Sequence, residues 1–168
     1  MREVRWTAVE TELLPMTNLE NKIPPPVVML LFGALMWGMS LIGPQLSDGQ
    51  LTTTALVPSL FLFGLIISLA GVYQFRISAT TVNPLRPDKA SKLVTKGVFT
   101  LTRNPMYLGM LVWLIAWSLF LNSSISLLGV MLFFLFITRF QIVPEERAMQ
   151  ALFGAEFELY QSKVRRWI

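Results

Sequence analysis

Neither cysteine nor histidine occurs among the 168 residues. Their absence excludes disulfides, a thiol nucleophile, a histidine general base and a zinc site built from the usual ligands. Charge is scarce too: Asp, Glu, Lys and Arg make up 14% of the chain, against about 25% in a soluble domain. There is no glycine-rich dinucleotide fingerprint, and no internal repeat or low-complexity tract. The first 22 residues interleave acids and bases. They lack the basic start, apolar core and small-residue cleavage site of a signal peptide. Chemistry here must rest on carboxylates, arginines, amides, hydroxyls and bound cofactors.

What the chain has in quantity is apolar sequence, 54% of its residues, gathered in blocks. That pattern predicts an all-α integral membrane protein of one domain, 1–168, with four transmembrane helices and a cytoplasmic C-terminal helical segment. The spans are expected at 26–43, 55–75, 105–121 and 125–143. A cytoplasmic lead precedes them at 1–24, partly helical around 4–14, and cytoplasmic helices follow at 144–168. Pro24, Pro25 and Pro26 stiffen the entry to the first span. Gly64, Ser68 and Gly71 share one face of the second span and permit close helix contact. In the polar stretch between the second and third spans, Asp88 is expected to cap a short helix over 89–95, ended by Gly97. Pro144 should break or bend the last apolar helix, leaving two short helices over 145–154 and 156–164.

The net charge of +4 is topological rather than a sign of nucleic-acid binding. Every Lys and Arg lies in the lead, in the stretch 76–103, or from Arg139 onward. The connections at 45–54 and 122–124 have none. The positive-inside rule then places both termini in the cytoplasm, with a bacterial inner membrane as the expected location.

Two polar constellations flank the apolar hairpin 105–143. In Arg103-Asn104-Pro105-x-Tyr107 a loop enters a helix. An interfacial anchor would have this form: Arg to phosphates, Pro at N1, Tyr in the aromatic belt. The same helix start has free N–H groups suited to an anion, and Asn104 adds an amide. In Glu145-Glu146, two carboxylates follow a proline where the helix dipole favours them. Arg139 is the one charge inside the four runs. It is expected either to pair with Glu145 or Glu146, or to orient an anionic acceptor.

Together, Lys92-Leu-Val-Thr-x-Gly-Val-Phe-x-x-x-Arg-Asn-Pro-x-Tyr-x-Gly109, the hairpin, Glu145-Glu-x-x-x-x-x-x-Phe-Gly154 and Tyr160 resemble the isoprenylcysteine carboxyl methyltransferase family. The wider group of membrane phospholipid and thiol methyltransferases is similar more loosely. Thr80-Thr-Val-Asn-Pro84 is similar to a segment of small bacterial members. The resemblance covers about half of the chain. It implies S-adenosyl-L-methionine held at the cytoplasmic side by Ser91, Lys92, Leu93, Val94, Phe99, Asn104, Pro105, Met106, Tyr107 and Glu146. Phe99 and Asn104 stand where eukaryotic members usually have Tyr and His. Glu146 and Arg139 are the implied catalytic pair, Arg139 lying about one turn from the family's substrate-side arginine. No metal is implied. The implied reaction is methyl transfer to an apolar or lipid-like carboxylate, with the bilayer as partner. Such an in-line displacement needs positioning and exclusion of water more than acid–base groups. Three other readings compete: a phospholipid or small-thiol methyltransferase, an NADPH-dependent membrane reductase, and a non-enzymatic membrane scaffold.

Overall fold

A computed structural model describes residues 20–44, 50–78 and 91–168. The expected lead helix around 4–14, the Thr80–Pro84 segment and the Asp88 cap lie outside the described residues. Among the described residues all regular structure is helical. The helices are α1 (Pro25–Ser40), α2 (Gln50–Ile77), α3 (Pro105–Phe120), α4 (Ser126–Ile137), α5 (Val143–Phe153) and α6 (Ala155–Lys163). A 3₁₀ turn spans Gly97–Thr100 and a π-turn spans Thr138–Ile142.

Two stretches, Thr54–Ile77 and Ser126–Phe153, are long and apolar enough to cross a membrane. α1 and α3 are apolar but shorter, about 24 Å each at 1.5 Å per residue. Leu30, Leu62, Ile66, Leu128 and Leu132 stand exposed on the outer faces. So broad an apolar exterior suits lipid rather than water.

The small-residue face of α2 packs against α3. A Cβ on Gly64 would lie 2.8 Å from the Gly109 carbonyl oxygen, and one on Gly71 would lie 3.1 Å from Pro105 and Met106. As α2 ascends, α3 descends, so the two are antiparallel. α4 packs on α1 in the same sense, with Phe32 edge-on to Phe133 at 5.8 Å between centroids. The four apolar helices therefore alternate in direction. At one end, Ser118 and Ser126 share a hydrogen bond of 2.7 Å, and the Ser124 N–H donates to the Pro44 carbonyl. Residue 20, residues 97–104, α5, α6 and the tail gather at the other.

The expected helix over 89–95 is not found in its described part. Residues 91–96 are irregular, and Gly97 opens a 3₁₀ turn instead of closing a helix. Gly97 has φ +62°, and a Cβ there would lie 2.1 Å from the Gln74 amide nitrogen, so only glycine fits. The physical reason is tertiary: Val94 and Phe99 are drawn down into an apolar cluster with Phe157 and Tyr160.

Pro144 does not break the helix. α4 runs through the π-turn into α5, with Pro144 in the first turn of α5. Proline has no N–H to give the carbonyl four residues back, and its ring crowds that carbonyl. Widening to a π-turn relieves the clash, and the Phe140 carbonyl accepts instead from the Asn21 N–H at 3.1 Å. The lead is thereby tied to the helix it follows in space.

Candidate functional site

The site end of the bundle is built on α3 and α5. α3 starts at Pro105, as its fixed φ favours, with Asn104 before it. The Asn104 side chain makes no cap. Its N–H donates to Thr102 Oγ1 at 3.1 Å and its Nδ2 to the Arg166 carbonyl at 2.9 Å. Thr102 Oγ1 donates to the same carbonyl at 3.2 Å, and the Arg103 N–H to the Arg165 carbonyl at 3.1 Å. The C-terminal tail is thus laid along the loop that enters α3.

α5 presents Glu145 and Glu146 from its first turn. Glu146 is gripped from both sides. Arg103 donates through Nη2 at 2.7 Å and Nε at 3.2 Å. Arg166 donates through Nη2 at 2.6 Å and Nε at 3.1 Å. The Arg103 and Glu146 side chains are 11% and 14% exposed, so water does little to weaken this pairing. Hydrogen bonding to Glu146 raises the Arg166 guanidinium above its usual value. Glu145 accepts from the Tyr107 hydroxyl. Tyr160 donates to the Phe99 carbonyl at 2.7 Å, and burial pushes its hydroxyl well up.

The residues singled out from the sequence divide into groups. Asn104 and Glu146 come together through Arg166, and Tyr107 meets the neighbouring Glu145, whereas Pro105 packs on Gly71 of α2. Met106 turns toward Gly71 of α2. Leu93, Val94 and Phe99 pack in the second apolar cluster, while Ser91 and Lys92 lie on the surface.

Arg139 does not pair with Glu145 or Glu146. It donates to Glu20 Oε1 at 2.7 Å, and Arg147 reaches the same carboxylate at 3.3 Å. In a regular helix residues seven apart share a face. The π-turn inserts one extra residue and rotates Arg139 away by about 100°. Burial raises the Glu20 carboxyl, but Arg139 and Arg147 outweigh it and hold it below its ordinary value.

Four contributors were not legible as site residues: Glu20, Thr102, Gln141 and Arg166. The one signal was for Arg166, in the basic tail from Lys163 to Arg166. Gln141 is wholly buried, and its Nε2 donates to the Ile23 carbonyl at 2.9 Å.

Between α1 and α2, over α3, lies an apolar groove of 510 Å³ floored by Trp113, Leu114 and Trp117. Trp113 and Trp117 are fixed by indole N–H bonds to the Phe61 and Gly33 carbonyls at 2.8 and 3.0 Å. Leu114 is two turns, about 10 Å, along α3 from Tyr107.

A family model described as phospholipid methyltransferase matches residues 52–156, well over half of the chain. An uncharacterized protein of Haemophilus influenzae is 48% identical over 63 residues, 38% of this chain and all of that one. A probable protein-S-isoprenylcysteine O-methyltransferase of Oryza sativa subsp. indica is 32% identical over 106 residues, 61% of this chain and 54% of the relative. Protein-S-isoprenylcysteine O-methyltransferase B of Arabidopsis thaliana is 28% identical over 109 residues, 63% of this chain and 54% of the relative. The chain spans about half the length of these two plant relatives.

Proposed function

This chain belongs to the phospholipid methyltransferase family, and on that premise we propose that it transfers a methyl group from S-adenosyl-L-methionine to a lipid-like acceptor at a membrane surface. The observation that carries the reading is the convergence of two motifs 38 to 43 residues apart, through Tyr107–Glu145 and Arg103–Glu146. A bilayer anchor needs neither contact.

The residues present fit the cofactor by their donor and acceptor chemistry. Its amino-acid end carries an ammonium and a carboxylate. Glu145 and buried carbonyl oxygens suit the first, and the Arg166 guanidinium, which grips Glu146 through Nε and Nη2 only, suits the second. Trp167 Nε1 is buried with no acceptor among the described residues and suits a hydroxyl or ring nitrogen. When bound, the cofactor supplies a methyl group activated on a sulfonium. The chain's part is to hold and orient. The double arginine grip fixes Glu146, and the packed tail keeps water from the α3 entry. Neither task requires the histidine or cysteine that the chain lacks.

The apolar groove favours an acceptor with a hydrocarbon tail. A chain lying in it would bring its polar head toward Tyr107. The family description favours a phospholipid acceptor, and the names of the plant relatives an isoprenylcysteine carboxylate. For a carboxylate the sequence offered Arg139 as receptor, but Glu20 already engages that guanidinium. In this reading all four apolar helices cross the membrane, with both termini cytoplasmic in a bacterial inner membrane.

Calorimetric titration of the purified protein with S-adenosylhomocysteine and with NADPH tests the reading. Saturable binding of the first and none of the second is expected. Binding of NADPH alone would overturn it in favour of a reductase.

A further inference from the structure

Two guanidinium groups cover Glu20. Arg139 Nη1 donates to it at 2.7 Å and Arg147 Nη2 at 3.3 Å. The Glu20 side chain is 1% exposed, whereas Arg139 and Arg147 keep 36% and 34% of theirs. The arginines therefore lie over the acid and face outward themselves. Arg139 commits only Nη1 to Glu20. Its Nε and Nη2 make no hydrogen bond among the described residues. Neighbouring N–H groups of this kind grip a phosphate or carboxylate through two parallel bonds. Phe140 steadies the fork, its ring centroid 5.5 Å from Arg139 Cζ.

Positive charge is left over. Glu145 and Glu146 are turned to Tyr107 and to Arg103 and Arg166, so Glu20 alone answers Arg139 and Arg147 among the described residues. Lys22 is exposed and lies within about 7 Å of chain from Glu20. Three cations thus stand around one acid. Their height is set by α4. Leu128, Leu132 and Leu135 are exposed along its outer surface. Arg139 comes four residues, about 6 Å, after the last of them, where the apolar exterior gives way to the charged end of the bundle. In a bilayer the anions at that height are lipid phosphates.

We propose that Arg139, Arg147 and Lys22 form a binding site for the phosphate of an anionic phospholipid, with Glu20 as its internal counter-ion. The free edge of Arg139 matches two phosphate oxygens. The surplus charge selects a head group without a cation of its own, so phosphatidylglycerol binds ahead of phosphatidylcholine. A lipid held there fastens the lead to the junction of α4 and α5, to which Asn21 and Ile23 are already tied through Phe140 and Gln141. The inference does not depend on the methyltransferase reading, because this lipid is held and not changed.

The test measures binding of phosphatidylglycerol, phosphatidylcholine and inorganic phosphate to the purified full chain in detergent. Wild type is expected to favour phosphatidylglycerol over phosphatidylcholine by about fivefold, with no competition from inorganic phosphate at equal concentration. Arg139→Lys keeps the charge and loses the fork, and should weaken phosphatidylglycerol binding about tenfold, as for one charge-assisted hydrogen bond. Glu20→Gln removes the counter-ion and should tighten it about fivefold, as for one further positive charge at a lipid surface. Glu156→Gln makes the same charge change at an exposed position of α6 and should tighten nothing. This pair of variants decides the matter should Arg139→Lys fold poorly. Equal affinity for the two lipids, wild-type affinity in folded Arg139→Lys, or equal gains from Glu20→Gln and Glu156→Gln would overturn the proposal in favour of unspecific attraction to a basic surface. Displacement of the lipid by inorganic phosphate at equal concentration would overturn the lipid assignment and make this a site for soluble phosphate.

Discussion

Glu145 and Glu146 are chain neighbours with opposite surroundings. Glu146 takes two guanidinium groups, and Glu145 one phenol. The helical turn of about 100° between them aims one at the tail and the other at α3. Glu146→Gln leaves Arg103 and Arg166 facing each other across a neutral amide. It should cost about 1–3 kcal/mol, read as a lowered melting temperature in detergent. Arg166→Ala should cost less, because its side chain is 39% exposed and its carbonyl still accepts from Asn104 and Thr102. The reverse ranking would mean that the tail, not the carboxylate, holds the site together. Glu20 gives a pH signature. Its folded-state pKa lies below the ordinary 4.5, so its contribution is present above that value and lost as pH falls through the lower folded value. The wild type should lose melting temperature below about pH 4.5 relative to Glu20→Gln, and parallel acid melts would disprove the clasp. Asn104, Tyr107 and Glu146 were legible because each sits at a helix start that proline marks. Glu20 was not, because its partner Arg139 is 119 residues away, and no local pattern announces such a pair.

At the scale of elements, the sequence is read best where local chemistry and packing agree. α3 begins at the proline that suits its first turn, and Gly64, Ser68 and Gly71 lie on the face that meets α3. The reading failed where tertiary demands override local preference. The lysine-rich stretch after Asp88 looked helical, yet Val94 and Phe99 must reach the cluster of Phe157 and Tyr160, and residues 91–96 stay irregular to do it. The π-turn was equally invisible, because the Phe140 carbonyl that Pro144 leaves without a donor is satisfied by the Asn21 N–H from another part of the chain. The α2–α3 contact gives a direct test. A Cβ at Gly109 would lie 2.0 Å from Ser68 Oγ and 2.5 Å from the Gly64 carbonyl oxygen. Since backbone cannot step aside cheaply, Gly109→Ala should destabilise by about 1–3 kcal/mol. Gly38, with nothing within 4 Å of its Cβ position, should accept alanine without loss, helped by better helix propensity. Equal melting temperatures for the two variants would show that α2 and α3 are not in this close register.

For the whole molecule, alternating helix directions explain why motifs far apart in sequence meet. α1 and α3 leave the site end and α2 and α4 return to it, so the lead, the α3 entry, α5 and the tail share one end. Charge follows the same division. Lys22, Arg103, Arg139, Arg147, Lys163, Arg165 and Arg166 lie at the site end, whereas residues 41–44 and 121–125 at the opposite end carry no charge. In a membrane that asymmetry orients the bundle, because cytoplasmic segments retain Lys and Arg. The proposed topology can be tested without removing any native thiol, since the chain has no cysteine. Ser124 is half-buried at the uncharged end and Ser162 exposed at the charged end. In intact cells a membrane-impermeant maleimide should label Ser124→Cys and spare Ser162→Cys, which should react only after permeabilisation. Labelling of both in intact cells would mean that α3 and α4 do not form a crossing hairpin. Labelling of Ser162→Cys alone would invert the bundle, put the Glu146 clamp on the outside, and separate the site from any cytoplasmic methyl donor.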